Sequence, residues 1–504
     1  MLNKFREKFL LEIVVFVSGA LVMIYEIIGS RILAPYIGTS TYIWTSLIGV
    51  ILGSLSLGYW FGGRMADRQP NLRILATVLF FAGAMISATI LAQDFILSMI
   101  GVTAIRIEFK SVIAALILFA PASTLFGFVT PYAVRLKMQT VENAGKTVGR
   151  LYALSTVGSI FGTFLAGFFL LPFVGSVRTM YLIAGLLFAL SLLLAPFKMA
   201  VNNIFLFLLF PVAILFNEVY AYTLFVSYEM HDFDTQYNRV RVFQTTEKDT
   251  GKPVRVLLTD PDSTQAAMYL DSDELALNNT KYYHLLRHFK PDFETTLVVG
   301  GAAYSFPKDY LRLYPNKKID VVEIDPQMTE MARKYFKLQD NPNLQIFHAD
   351  GRVFLNQNEK KYDAILIDAF TSVYSVPFQL TTVEAVRQME KGLNDDGIVL
   401  VNLISSFTGE GAKFLQAEVR TYREVFPNVY IFKPRFEKDE KLAQNALLVA
   451  TKSNKIGLDS TDENISALLK NRYEKPLDLS VPVLTDELAP VEYYNSLAQK
   501  WTEK

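Results

Sequence analysis

Three acidic residues stand where short apolar runs give out: Glu323 after Ile319-Asp320-Val321-Val322, Asp350 after Leu344-Gln345-Ile346-Phe347, and Asp368 after Ala364-Ile365-Leu366-Ile367. A fourth run, Thr296-Leu297-Val298-Val299, ends instead in Gly300-Gly301-Ala302-Ala303. Small residues there allow a tight turn and close approach of a ligand to the backbone. Glu323 follows Gly301 by 22 positions, the separation at which an acid at the end of the next strand accepts hydrogen bonds from ribose hydroxyls. The third glycine of a dinucleotide fingerprint is absent, and Pro307 interrupts the expected helix start. Both speak against a pyrophosphate on a helix terminus and for adenosine without phosphate. Any one of these acids alone reads equally as a helix cap or turn residue. Three at successive strand ends, with Gly351 after Asp350, make an acidic rim suited to hydroxyls, an adenine amino group and a cation.

The elements that must position this rim are strands and helices in alternation. The four runs and a fifth, Gly397-Ile398-Val399-Leu400-Val401, are separated by amphipathic stretches that include Gln327 to Phe336 and Thr382 to Lys391. That alternation predicts a doubly wound, Rossmann-like α/β domain with ligands outside the carboxyl ends of its strands. Ahead of it, Arg239 to Phe243 and Pro253 to Leu258 flank a Lys-Asp-Thr-Gly turn and read as a hairpin, and Tyr282 to His288 reads as helix.

The 504 residues contain no cysteine and four histidines. A disulfide framework, a thiolate metal site and a cysteine nucleophile are thereby excluded. His284 and His288 sit four apart but lack the glutamate that completes a zincin motif, so no metal centre is expected.

Up to Val226 there are 15 Lys/Arg and 8 Asp/Glu, net +7, whereas the remainder has 34 and 41, net −7. An acidic second half is no nucleic-acid partner and a fitting host for cations. The first half is a succession of apolar runs, each near the 20 residues that cross a hydrocarbon core as helix. They lie near Phe9 to Ile32, Tyr42 to Gly63, Leu72 to Ala92, Ser111 to Val134, Val148 to Leu171, Thr179 to Ala195 and Ile204 to Phe225. Seven spans in a lipid bilayer are therefore expected, a membrane helical bundle. Glycine pairs at spacing four (Gly49/Gly53, Gly58/Gly62, Gly158/Gly162) predict close helix packing, and Pro121, Pro131 and Pro211 predict kinks or ends. Glu26 and Arg31 read either as a structural pair or as a polar-ligand site, and Glu218 is a further costly charge in a span. Eleven basic residues on the side of the amino terminus against four on the other place that terminus in the cytoplasm and, over seven spans, the second half outside.

From about Asp234 to Lys452 the sequence resembles the spermidine synthase family of polyamine aminopropyltransferases, in its membrane-fused branch. The resemblance rests on Tyr237-Asn238, Tyr283-His284, Gly300-Gly301, Glu323-Ile324-Asp325, Ala349-Asp350-Gly351 and Tyr362 to Asp368, and in the spans on Arg31 to Tyr36 and Trp44-Thr45-Ser46. It implies transfer of an aminopropyl group from decarboxylated S-adenosylmethionine to an amine such as putrescine, with methylthioadenosine as product and no metal. By resemblance Asp368 is the catalytic acid-base group. Glu323 holds the ribose and Asp350 with Gly351 the adenine, while Gly300 and Gly301 form the cofactor turn. Gln265 and His284 take the cofactor's other edges, and Tyr283 and Asn238 the amine side. A family aspartate is replaced by Ala303, and Thr371 stands where a second aspartate serves the acceptor amine. Those departures open a methyl-transfer reading with ordinary S-adenosylmethionine, beside a third in which the chain is a transporter or sensor without turnover. The implied organisation is a membrane domain (1–226), a β-rich capping region (227–290), the catalytic domain (291–452) and a short helical appendage (453–504). By analogy with soluble members a homodimer is expected, and because the sulfonium compounds are made in the cytoplasm the catalytic domain is expected there, against the charge count.

Overall fold

The computed structural model describes residues 2–38, 40–103, 105–138, 140–195, 204–247, 250–259, 264–369, 375–453 and 457–498. Thr371 and Trp501 lie outside these residues. The chain divides into two compact units, Met1–Arg239 and Val240–Lys504.

The first unit is helical: α1 (Leu2–Ile37), α2 (Thr41–Arg68), α3 (Leu72–Gly101), α4 (Ile107–Leu118), α5 (Ala120–Lys137), α6 (Ala144–Leu165), α7 (Ser176–Leu194) and α8 (Ile204–Tyr228). Among the described residues six helices are long and apolar enough to cross a membrane, and α4 with α5, bent by 56°, makes a seventh if the pair is one span. The bend falls at Phe119-Ala120-Pro121, where proline, lacking an N–H, begins a new helix at little cost. Two of the three glycine pairs lie at backbone crossings. A Cβ on Gly158 would stand 2.1 Å from the Phe16 carbonyl oxygen, and one on Gly58 2.1 Å from that of Thr124. Those contacts seat α6 on α1 and α5 on α2 by van der Waals packing. Gly49 and Gly53 face open space instead, so spacing alone did not identify the packed face. Arg31 donates to the Gln236 carbonyl, and Glu218 is exposed on α8.

A four-stranded antiparallel sheet follows, of β1 (His231–Asp234), β2 (Arg239–Thr246), β3 (Pro253–Leu258) and β4 (Thr264–Tyr269). The expected hairpin is β2 with β3, in which Phe243 pairs with Val256. The expected helix from Tyr282 to His288 is two short pieces, a 3₁₀ turn (Tyr282–Leu285) and one α turn (Leu286–Phe289).

The second sheet has seven strands: β5 (Thr295–Val299), β6 (Lys318–Glu323), β7 (Leu344–His348), β8 (Tyr362–Ile367), β9 (Leu393–Ser405), β10 (Asn428–Phe432) and β11 (Gln444–Thr451), in the order β10-β11-β9-β8-β5-β6-β7. The five expected strands are all present and mutually parallel. The sheet is nevertheless mixed, because β11 and β10 add antiparallel at one edge. Strand order reverses at β5, with β6 on one side and β8 on the other, which is where ligands gather in such sheets. Alternation sends Leu297, Val299, Ile365, Ile367, Val399 and Val401 into one apolar layer, and Val298, Val321, Leu366, Leu400 and Leu447 into the other. A buried side chain of this size is worth about 1.5 to 3 kcal/mol, so the pattern holds the register firmly.

Helices α9 (Ser305–Leu313), α10 (Pro326–Tyr335), α11 (Gly351–Gln357), α12 (Val383–Lys391) and α13 (Lys413–Arg423) cover the sheet. The last segment is more than an appendage. Ile465 and Leu469 join one apolar layer, and Val481, Leu484, Val491 and Tyr494 join the other.

Candidate active site

Register assembles the site. Val299 of β5 pairs with Val322 of β6 and with Ile367 of β8, and Ile367 pairs with Val401 of β9. One residue further on come Gly300, Glu323, Asp368 and Asn402, on the face that carries Val298, Val321, Leu366 and Leu400 below. The apolar layer thus ends in a row of chemistry-bearing residues, at the carboxyl edge beside the switch point.

Gly300 is needed twice over. Its φ is +102°, a conformation that side chains resist, and a Cβ there would lie 2.2 Å from the Asp368 carbonyl oxygen. Its N–H donates to the Val322 carbonyl (2.9 Å), while the Asp368 N–H donates to that of Val299 (2.9 Å). The turn therefore rides directly on the backbone of Asp368. Ala302 and Tyr304 also take positive φ, 45° and 55°. The cost of Tyr304 is offset by a fully buried ring beneath Gly301 and a 2.7 Å bond between its hydroxyl and Thr329.

Glu323 closes this turn from below. One carboxylate oxygen accepts the N–H groups of Gly301 (2.8 Å) and Ala302 (3.0 Å), the other that of Asp325 (3.0 Å). Burial pushes its carboxyl up from the ordinary range, against the pull of the three amides. Asp350 caps α11, its Oδ1 accepting the Val353 N–H at 3.0 Å, so the cap reading of this acid holds whatever else it does. Gly351 lets α11 approach β5, since a Cβ there would meet Val299 at 2.6 Å.

Asp368 is held differently. Its Oδ1 accepts from the Asn402 amide at 2.9 Å, and the Tyr283 hydroxyl faces it. Tyr283 is 1% exposed, set edge-on against Phe306, and its hydroxyl has no hydrogen-bond partner among the described residues. Burial first, then the Asp368 charge, pushes that phenol well above its ordinary value. Burial likewise raises the Asp368 carboxyl, opposed by Asn402 and Tyr283. A raised carboxyl beside an orphaned phenol is the pairing expected of an acid-base centre.

His284, expected at the cofactor's edge, has both ring nitrogens taken by protein, at 2.7 Å from Asp309 and 3.0 Å from Tyr314. Burial would raise the Asp309 carboxyl, but His284 and Arg312 outweigh it and hold it below the ordinary range. That is the arrangement of a structural histidine. Gln265 is half-buried on β4, two residues before Ala267, whose carbonyl accepts from Ser305 at the start of α9 (3.1 Å). Asn238 belongs to the other unit, in a turn where its carbonyl accepts the Thr235 N–H (2.8 Å) and its N–H donates to the Thr235 hydroxyl (2.9 Å). Ala303 is fully buried. Asn402, which sequence reasoning passed over, had one signal: it is the first polar residue after the apolar run of β9. No cluster of three metal-ligating residues occurs among the described residues.

Residues 279–437 match the family described as Spermine/spermidine synthase domain. Among curated relatives, a polyamine aminopropyltransferase of Vibrio vulnificus (strain CMCP6) is 34% identical over 148 residues, 29% of this chain and 48% of that one. Another, of Clostridium beijerinckii, is 24% identical over 220 residues, 43% of this chain and 74% of that one. A probable spermidine synthase from Corynebacterium glutamicum aligns in three dimensions with 19% identity and a TM-score of 0.41, over 54% of this chain and 95% of that one. The chain spans about half the length of the Vibrio relative and of a Bifidobacterium longum probable polyamine aminopropyl transferase. Residues 279–437 thus carry the likeness to a spermine/spermidine synthase domain, behind an amino-terminal region with six to seven candidate membrane helices among the described residues.

Proposed function

We propose that this protein is a membrane-anchored aminopropyltransferase that moves the aminopropyl group of decarboxylated S-adenosylmethionine to an amine of the putrescine type. The observation that carries the reading is the Asp368 carboxylate with the Tyr283 hydroxyl turned to it and to no other described group, within the matched domain and against the Gly300 turn. A free alkylammonium, with a pKa near 10, does not attack carbon until it loses a proton. In this reading Asp368 attracts the ammonium and takes that proton, and Tyr283 orients the nitrogen. The nitrogen lone pair then forms a bond to the methylene carbon next to sulfur, the carbon–sulfur bond breaks, and its electrons neutralise the sulfonium as methylthioadenosine leaves. Most of the remaining work is alignment of nitrogen, carbon and sulfur. Glu323, with its three amides satisfied, has further lone pairs for ribose hydroxyls, and Asp350 lies at the adenine side.

One observation favours a second reading. Ala303, fully buried and uncharged, supplies no carboxylate for the cofactor's amine and none to repel the carboxylate of ordinary S-adenosylmethionine. Methyl transfer on the same fold would follow. Incubating the purified full chain with putrescine and each cofactor separates the two: methylthioadenosine supports aminopropyl transfer, S-adenosylhomocysteine alone overturns it. We assign the catalytic unit to the cytoplasm because the sulfonium compounds are made there, although the basic-residue bias over seven crossings argues for the opposite face. A carboxyl-terminal reporter active only outside would reverse that assignment.

A further inference from the structure

Beyond Asp368 the polar row continues. Asn402 donates through Nδ2 to the Asp368 Oδ1 (2.9 Å), and its own Oδ1 accepts from Asn445 Nδ2 (3.0 Å). The three residues sit on adjacent strands, β8, β9 and β11, and each is the next inward position after a buried leucine or its neighbour: Leu366 before Asp368, Leu400 before Asn402, Leu447 after Asn445. Asn402 is 5% exposed, so an unsatisfied amide there would be costly. The same stretch of sheet would be filled without cost by leucines, and the run of amides needs a reason.

Chemistry fixes the direction of the chain. A carboxylate only accepts, so Asn402 must present its NH₂ to Asp368. Its carbonyl then points towards β11, where only a donor satisfies it, and Asn445 supplies one. Reversing Asn402 would set two oxygens against each other at Asp368. Asn445 therefore reinforces the orientation of Asn402 that the carboxylate requires.

We propose that Asn402 and Asn445 form a positioning relay: Asn445 locks the orientation of Asn402, and Asn402 binds one oxygen of Asp368, leaving the other oxygen for the acceptor amine and favouring the ionised, proton-accepting form. Neither asparagine touches substrate. The inference rests on the assignment of Asp368 as the base, and deepens it.

The test uses the purified full-length chain carrying Asn445→Ala or the isosteric Asn445→Asp. A carboxylate at this position accepts from Asn402, turns its amide round, and faces Asp368 with an oxygen. Without the Asn445 donor the Asn402 amide is held less firmly and its bond to the carboxylate weakens, which raises the carboxyl's pKa, so the acid limb of kcat/KM against pH moves up by as much as about one unit in Asn445→Ala. It moves further in Asn445→Asp, while affinity for methylthioadenosine stays within about twofold in both. The charge added in Asn445→Asp raises that limb whether or not the relay exists, so Asn445→Ala decides: a merely structural asparagine there would alter melting temperature without moving the limb. An unmoved limb in Asn445→Ala, with the protein folded, overturns the relay. If Asp368→Asn transfers at the parental rate, the assignment of the base fails instead. The relay is then still decided by ¹³C carboxyl NMR titration of Asp368, whose resonance is identified by its loss in Asp368→Asn: a titration unshifted by Asn445→Ala overturns it.

Discussion

The ends of β6 and β8 flank the glycine turn and each carries a carboxylate, yet the two are held in opposite ways. Glu323 is clamped by three backbone N–H groups. Asp368 has one side-chain amide on one oxygen and a phenol without other partners before it. Backbone donors cannot turn away, so Glu323 is a fixed piece of the turn that also offers lone pairs to a ligand. Side-chain donors hold an acid in place while leaving part of its hydrogen-bonding capacity open. Both carboxyls are raised by burial, so the difference lies in what satisfies them. The inference is a division of labour in which β6 binds and β8 reacts.

The largest expected effect tests the reactive side. Asp368→Asn removes the base and keeps the shape, and turnover falls on the order of 10²- to 10⁴-fold. Binding of methylthioadenosine, followed by calorimetry, stays close to that of the parent. Because burial raises the Asp368 carboxyl, the acid limb of the parent's kcat/KM profile lies above the ordinary aspartate value of about 3.9. Rates fall as the pH drops through that limb and the base becomes protonated. Parental turnover in Asp368→Asn would erase the distinction between the two strand ends.

Gly300→Ala breaks both ends together. The added methyl would sit 2.2 Å from the Asp368 carbonyl oxygen at a φ of +102°. Backbone strain alone costs about 1 to 2 kcal/mol, and relief of the clash must displace β8 or the turn. Thermal unfolding of the purified chain is expected to report a loss of about 3 kcal/mol or more, with cofactor affinity and turnover falling in step. A variant that melts with the parent but loses only turnover would show that the turn is not shared between the two acids.

These residues differ in how far the chain alone reveals them. The strand ends with Gly300, Glu323 and Asp368 were legible because five buried parallel strands leave apolar runs, and a polar residue ending such a run marks the carboxyl edge. The antiparallel edge was not legible, since Asn428 to Phe432 and Gln444 to Thr451 carry apolar runs whose direction is set by pairing, of β11 with β9 and of β10 with β11. The carboxyl-terminal segment read only as a short helical appendage because its buried residues, Val481, Leu484, Val491 and Tyr494, are spread among charges without a period. The protein partners of His284 were hidden because Asp309 stands 25 positions away, on a helix whose placement no spacing announces. Asn402 and Asn445 are ordinary polar residues until the register puts them beside Asp368.

On the binding side, Glu323→Gln keeps the volume but offers an NH₂ to donors. One end of the amide still accepts from the turn or from Asp325, and the other meets an N–H head-on. Losing a charge-assisted acceptor for ribose hydroxyls is expected to weaken methylthioadenosine binding by roughly 10- to 100-fold. Turnover at saturating cofactor drops far less. Calorimetry and a KM-against-kcat comparison decide it: a fall in kcat as large as that of Asp368→Asn would make Glu323 part of the reacting group.

A third acid shows what burial does without donors. Glu418 on α13 is 1% exposed, and its Oε1 has no hydrogen-bond partner among the described residues. Burial alone raises its carboxyl well above the ordinary range. A carboxyl whose pKa is higher in the folded state binds its proton more tightly there, so it favours folding most below the unfolded value of about 4.3 and progressively less as the pH rises from there towards the folded pKa. Glu418→Gln replaces the neutral acid with a group of the same shape that never ionises. The variant should therefore melt above the parent at pH 8, with the gap closing towards pH 5, while the acid limb of activity stays where Asp368 sets it. A gap independent of pH would mean that Glu418 is ionised in the folded protein with no shift from its unfolded value, unlike the raised carboxyls of Glu323 and Asp368.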